Sequence, residues 1–107
     1  MAKSARSFDL PPGFSLAPIH PGKTLEAELA ARGMSAHALA MKLRVPANRV
    51  SEIVAGKRGI SPETALRLGR FFGTGGAFWI NLQSHYDLAL AQREMGEKIA
   101  AEVEHAA

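Results

Sequence analysis

Asn48, Arg49, Ser51 and Glu52 bring an amide, a guanidinium, a hydroxyl and a carboxylate into five consecutive positions. These groups match the edges of DNA bases. Asn can pair with adenine through two hydrogen bonds, Arg with guanine, Glu can accept from the cytosine amino group, and Ser is permissive. Ala47 completes the candidate base-reading set by position, although it offers no polar atom. Ser35, His37, Arg44, Lys57, Arg58 and Ser61 are the candidates for holding phosphates, through cationic side chains or hydroxyls at helix N-termini.

Other chemistries fit less well. Ser84, His85 and Asp87 contain the letters of a hydrolytic triad, but neighbours on one helix cannot be arranged around a single reacting atom. The four histidines, His20, His37, His85 and His105, lack the spacing of a helical metal pair, and with no cysteine the chain has neither a thiol nucleophile nor a Cys-ligated zinc. The reading is a protein that is not an enzyme, with no cofactor and no metal.

The chain has 107 residues, 47% hydrophobic and 21% charged, with 13 Lys+Arg against 10 Asp+Glu. That describes one small globular domain, near the lower size limit for folding alone. No apolar run approaches the roughly 20 residues of a membrane span, and the N-terminus lacks the apolar core of a secretory signal. A cytoplasmic protein with no membrane partner is expected. The charge is unevenly distributed: between Arg44 and Arg70 six basic residues face two acidic ones, whereas between Asp87 and Glu104 five acidic residues face two basic ones. One segment can face phosphate while another avoids it.

The positioning elements are helical. Residues 1–18 form an extended arm, rich in proline, with apolar anchor points at Phe8, Leu10, Phe14 and Leu16. From residue 19 to 107 the chain is expected to form a single all-α domain. Leu25 and Leu29 lie on a first helix that opens at Pro21-Gly22 and stops at Gly33. Ser35 caps a second, with Leu39, Ala40 and Leu43 inward. After Arg44-Val45-Pro46, a third helix runs from about Ala47 to Gly56 and buries Val50, Ile53 and Val54, leaving the base-reading set outward. Ser61-Pro62-Glu63 opens a fourth, with Leu66, Gly69 and Phe72 inward. A fifth, from about residue 77 to 104, carries a stripe through Trp79, Leu82, Tyr86 and Leu90. Two short helices joined by a tight turn, the second with a polar outer face, meet the physical requirement of a helix-turn-helix.

The order of several blocks is distinctive: Ile19-His20-Pro21-Gly22, then Leu39-Ala40 with Leu43, then Asn48 to Ile53, then Gly56 to Leu68, then Phe78 to Gln83 with Tyr86-Asp87. From Ile19 to Leu90 the chain resembles the HigA-type antitoxin family, a branch of the lambda-repressor-like, Xre-type helix-turn-helix regulators. The resemblance implies a five-helix domain that dimerises mainly through its C-terminal helix, binds double-stranded DNA at a palindromic operator and represses its own operon. It also implies a small RelE-like mRNA-cleaving toxin as partner, so that the toxin, not this chain, is the enzyme. Trp79, Leu82, Gln83, Tyr86 and Leu90 are then the expected dimer interface.

Three departures from the family pattern bear on function. Arg44 stands where the family usually has glycine, and Ala36 where many relatives carry a glutamine. Pro46-Ala47 replaces a serine followed by a polar residue, which removes a capping oxygen worth about 1 kcal/mol. Two other functions remain open on the residues alone. One is a stand-alone Xre-type regulator without a toxin. The other is a protein-interaction module on a helix-turn-helix scaffold, in which Asn48 and Arg49 are an ordinary solvated helix face and the arm and acidic tail bind a partner.

Overall fold

The computed structural model describes residues 17–106, so the expected arm lies outside the described residues up to position 16. Five helices follow one another: α1 Pro21–Arg32, α2 Ala36–Leu43, α3 Ala47–Val54, α4 Pro62–Phe72 and α5 Gly76–Glu102. No strand occurs among the described residues, and none of their helices is long and apolar enough to cross a membrane. The fold is all-α.

The helix ends follow from local chemistry. The Oγ of Ser35 accepts from the backbone N–H of Ala38 at 3.0 Å, and that of Ser61 accepts from Thr64 at 3.2 Å. Each satisfies one of the N–H groups that a helix N-terminus leaves unpaired. His20 does the same for α1, its Nδ1 accepting from Gly22 at 2.9 Å. Pro46 precedes α3 with no side-chain cap, as its missing acceptor predicts. Helix α3 ends at Val54, short of Gly56, which holds the left-handed conformation at φ 76° just beyond. Helix α2 ends at Leu43 and is capped by Arg44, which adopts φ 61° and ψ 44°. Arg44 is the sole non-glycine with positive φ among the described residues. At a position where a side chain is strained, the arginine is held there because its N–H closes α2 onto the Ala40 and Met41 carbonyls.

Leu25, Leu39, Val50, Ile53, Leu68 and Trp79 are fully buried and join all five helices into one core. Gly22 allows the start of α1 to lie directly on the end of α3, because a Cβ there would overlap the carbonyl oxygen of Ile53. Arg32 lays its guanidinium 4.9 Å over the ring of Phe72, joining α1 to α4.

The inward face of α4 differs from the expected one. Ala65, Leu68 and Gly69 are buried, whereas Leu66 is 67% exposed. Residues three apart slip by about 60° per step on a helix of 3.6 residues per turn. The series Leu66, Gly69, Phe72 therefore drifts across the face, and its first member falls outside it.

Candidate nucleic-acid interface

Helices α2 and α3 have eight residues each, joined by Arg44, Val45 and Pro46. Val45 is buried in the turn, and Leu39, Ala40 and Leu43 of α2 meet Val50 and Ile53 of α3 inside. This packing fixes which side of α3 looks outward. Ala47, Asn48 and Ser51 are exposed there, while Arg49 and Glu52 are half-buried.

The polar side chains on that face are bonded to one another. Asn48 donates from Nδ2 to Oε2 of Glu52 at 3.0 Å, and Arg58 donates from Nε to Oε1 of the same carboxylate at 2.8 Å. Glu52 thus ties the first turn of α3 to the turn that follows it. Ser51 donates from Oγ to the carbonyl of Asn48 at 3.1 Å. Arg49 turns toward α4, its Nη1 donating to Oγ1 of the buried Thr64 at 3.3 Å. Thr64 in turn shares a 3.1 Å hydroxyl bond with Ser61. Of the candidate base-reading residues, Ala47, Asn48 and Ser51 are exposed, and Arg49 and Glu52 also serve as struts.

The candidate phosphate-holding residues divide into three places. Lys57 and Arg58 are exposed in the turn after α3, and Ser61, at the N-terminus of α4, joins Arg49 through Thr64. Ser35 and His37 lie on the exposed first turn of α2. Arg44 is at the other end of α2, roughly 12 Å away at 1.5 Å per residue. There it shares an open cleft of about 370 Å³ with Lys42, Leu66, Arg67, Arg70 and Phe71. Arg67 is fully engaged in that region, donating to Glu63 from two nitrogens and to the Leu43 carbonyl at 2.9 Å.

The turn from Gly56 to Ile60 is held by a residue expected elsewhere. Gln83 accepts the backbone N–H of Ile60 through Oε1 at 2.7 Å and donates to Asp87 through Nε2 at 3.0 Å. Its amide lies against Gly59, where a Cβ would stand 3.1 Å from it. Gln83 therefore belongs to the support of the turn. Trp79, also expected at a dimer interface, is completely buried, with Phe72 at 5.6 Å and Phe78 at 5.1 Å between ring centroids. It has no surface to offer a second chain. Leu82 and Leu90 are half-buried, and Tyr86 packs its ring edge-on to His20 at 4.9 Å. The exposed apolar residues of α5 are instead Phe78, Leu88, Met95 and Ile99, with Val103 just past its end.

The sequence does not single out Thr64, and it assigns Gln83 to a dimer interface and not to this turn. Their partners lie 15 and 23 residues away, and nothing in local spacing marks such ties. The bond from Asn48 to Glu52 spans four residues and has a local signal, since side chains four apart on a helix are neighbours.

Comparison with known proteins matches this architecture. Residues 25–79 fit the family model described as helix-turn-helix. The chain is 49% identical over 77 residues to virulence-associated protein I of Dichelobacter nodosus, covering 71% of each. Among solved structures, it is similar to an addiction module antidote protein of the HigA family from Coxiella burnetii, at 48% identity and a TM-score of 0.82 over 85% of this chain and 100% of that one. It is also similar to the Pseudomonas aeruginosa antitoxin HigA with higBA promoter, at 47% identity and a TM-score of 0.81 over 85% and 100%. With the short α2 and α3, the outward polar face of α3 and these likenesses together, the chain belongs to the helix-turn-helix family, in its HigA branch.

Proposed function

We propose that this chain is a homodimeric, cytoplasmic repressor that binds a palindromic operator in its own promoter, and that it neutralises a small RelE-like mRNA-cleaving toxin. The observation that carries the DNA-binding reading is the outward face of α3. Asn48, Ser51 and Ala47 are exposed, and Lys57 and Arg58 stand beside them in the turn that Gln83 holds. A helix of this size fits the major groove, and the cations would take the phosphates that flank it. The likeness to an antitoxin solved with its promoter supports the same reading. The toxin partner is carried by membership of the HigA branch and by the description of one relative as an addiction module antidote.

For the dimer, the unpartnered apolar residues Leu88, Met95, Ile99 and Val103 are the proposed contact, replacing Trp79 and Gln83. Leu82, Tyr86 and Leu90 would contribute at most their exposed edges.

The experiment is a titration onto the chain's own promoter fragment and onto scrambled DNA of equal length at two salt concentrations. Specific binding keeps its preference for the promoter as salt rises, although both affinities fall as counterions are released. Arg49→Ala is expected to lose that preference while remaining helical. Equal and salt-labile binding to both fragments refutes sequence recognition. Co-purification with the product of the neighbouring reading frame tests the toxin, and its failure leaves a stand-alone regulator.

A further inference from the structure

We propose that Glu52 is a positioning residue which sets the Asn48 amide for an adenine and aims Arg58 at a phosphate, and that it does not itself read a base. This rests on the reading of α3 as the recognition helix. Both carboxylate oxygens are already engaged, Oε2 by Asn48 at 3.0 Å and Oε1 by Arg58 at 2.8 Å. The side chain is 33% exposed and lies one helical turn behind Asn48, which stands at the outer, N-terminal end of α3.

The consequence for Asn48 is chemical. An ionised carboxylate only accepts, so the amide must turn its nitrogen, not its oxygen, toward Glu52. One N–H is consumed, and one N–H and Oδ1 remain for a ligand. That pair suits adenine, whose major-groove edge offers the N7 acceptor and the N6 donor. Guanine offers two acceptors, N7 and O6, and would place O6 against Oδ1. An Asn free to rotate could instead offer both of its N–H groups to guanine. Glu52 thereby converts a permissive side chain into one that favours adenine. Arg58, held through Nε, keeps both terminal nitrogens of its guanidinium for a phosphate, the fork geometry that Arg uses for such oxygens.

The test measures binding of full-length protein to its promoter and to a panel carrying each half-site base pair substituted in turn. Asn48→Ala is expected to abolish discrimination at one base pair, a loss of roughly 5- to 150-fold for one bidentate contact. Glu52→Ala is expected to lose most of the discrimination at that same base pair, and adding it to Asn48→Ala should cost nothing further there. Glu52→Gln, whose carbonyl still accepts from Asn48, should retain part of it. Arg58→Ala should weaken binding to every sequence alike and flatten the log–log salt dependence by about 0.9, with base preference unchanged. This last variant leaves the bond from Asn48 to Glu52 intact and needs no change to α3.

Loss of discrimination at a different base pair in Glu52→Ala would show that Glu52 reads its own base and would overturn the inference. So would an unchanged preference at every position in a folded Glu52→Ala, or a shifted preference in Arg58→Ala. A wild-type protein that treats promoter and scrambled DNA alike would instead overturn the recognition-helix reading, and this inference with it.

Discussion

Replacing Gln83 by methionine removes the acceptor of the Ile60 N–H, together with an exposed hydrogen bond to Asp87. The side chain keeps its length, so the space beside Gly59 stays filled, but the N–H of Ile60 loses its partner. Ile60 is 3% exposed, too buried for water to take over easily. A buried donor left unpaired costs about 1–3 kcal/mol. Taking about 2 kcal/mol, and 4–8 °C per kcal/mol for a domain of this size, the melting temperature should fall by about 8–16 °C. The Ile60 amide should exchange with solvent about 30-fold faster if opening of the turn carries the whole loss, since 1.4 kcal/mol corresponds to a factor of ten. Thermal unfolding by circular dichroism and native-state hydrogen exchange would measure the two effects. Asp87→Ala, which removes the exposed bond to Gln83 and leaves the Ile60 bond in place, should lose much less. A change below about 0.5 kcal/mol, within the usual range of neutral surface substitutions, would refute the argument. An effect confined to dimer dissociation, with Ile60 still protected, would do so as well and would return Gln83 to the interface.

Three further perturbations probe other parts of the structure. Gly22→Ala drives a methyl group into the Ile53 carbonyl and must separate α1 from α3, so a loss of about 1–3 kcal/mol is expected in urea unfolding; an unchanged midpoint would show that the two helices are not in contact there. Arg44→Gly relieves a left-handed conformation costing about 1–2 kcal/mol and gives back about 0.4–1 kcal/mol through the freer unfolded chain. A net stabilisation of roughly 0.5–1 kcal/mol follows from these two terms, and a fall in melting temperature would mean that the side chain contributes more than its strain costs. Ile99→Asp places a charge on the exposed apolar stripe of α5, where the native side chain is 47% exposed. Sedimentation equilibrium should then report folded monomer in place of dimer, and an unaltered dimer would exclude this stripe as the contact.

Much of the fold could be read from residues that act over four positions or fewer. Ser35, Ser61, Gly33 and Gly73 mark helix ends because a cap or a left-handed residue is a local device, and each stands where that chemistry requires. The outward set on α3 was legible for the same reason, since burying Val50 and Ile53 leaves Asn48, Ser51 and Glu52 on other sides. What local spacing does not carry is which of those groups spend their hydrogen bonds within the chain. Glu52 meets Arg58 only because the turn after α3 folds back, and Arg67 reaches the Leu43 carbonyl only because α4 crosses the end of α2. Arg44 illustrates the reverse case: its unusual backbone was foreseeable from a family pattern with glycine there, but its company, with Lys42 and Arg70 instead of Ser35, depends on packing.

The expected dimer interface meets a similar limit, and α5 explains it. Trp79, Leu82, Gln83, Tyr86 and Leu90, at spacings of three, one, three and four residues, lie along one face. At about 100° per residue, Leu88 points about 180° from Trp79, and Met95 and Ile99 fall on the side of Leu88. The helix therefore carries two apolar stripes on opposite faces, displaced along its length of about 40 Å. Periodicity detects both and assigns neither, because either stripe alone suits a core or an interface. The distinguishing fact is which face of α5 the other helices cover. Helices α4 and α1 pack against α5, and Trp79 is buried, while Leu88, about 180° around the helix, is 67% exposed. One continuous helix then holds the turn bearing Lys57 and Arg58 with its first half and presents the proposed pairing surface with its second. In a dimer formed that way, the separation of the two α3 helices is set by how two copies of α5 cross, and changes to the stripe should alter operator spacing before they alter base preference.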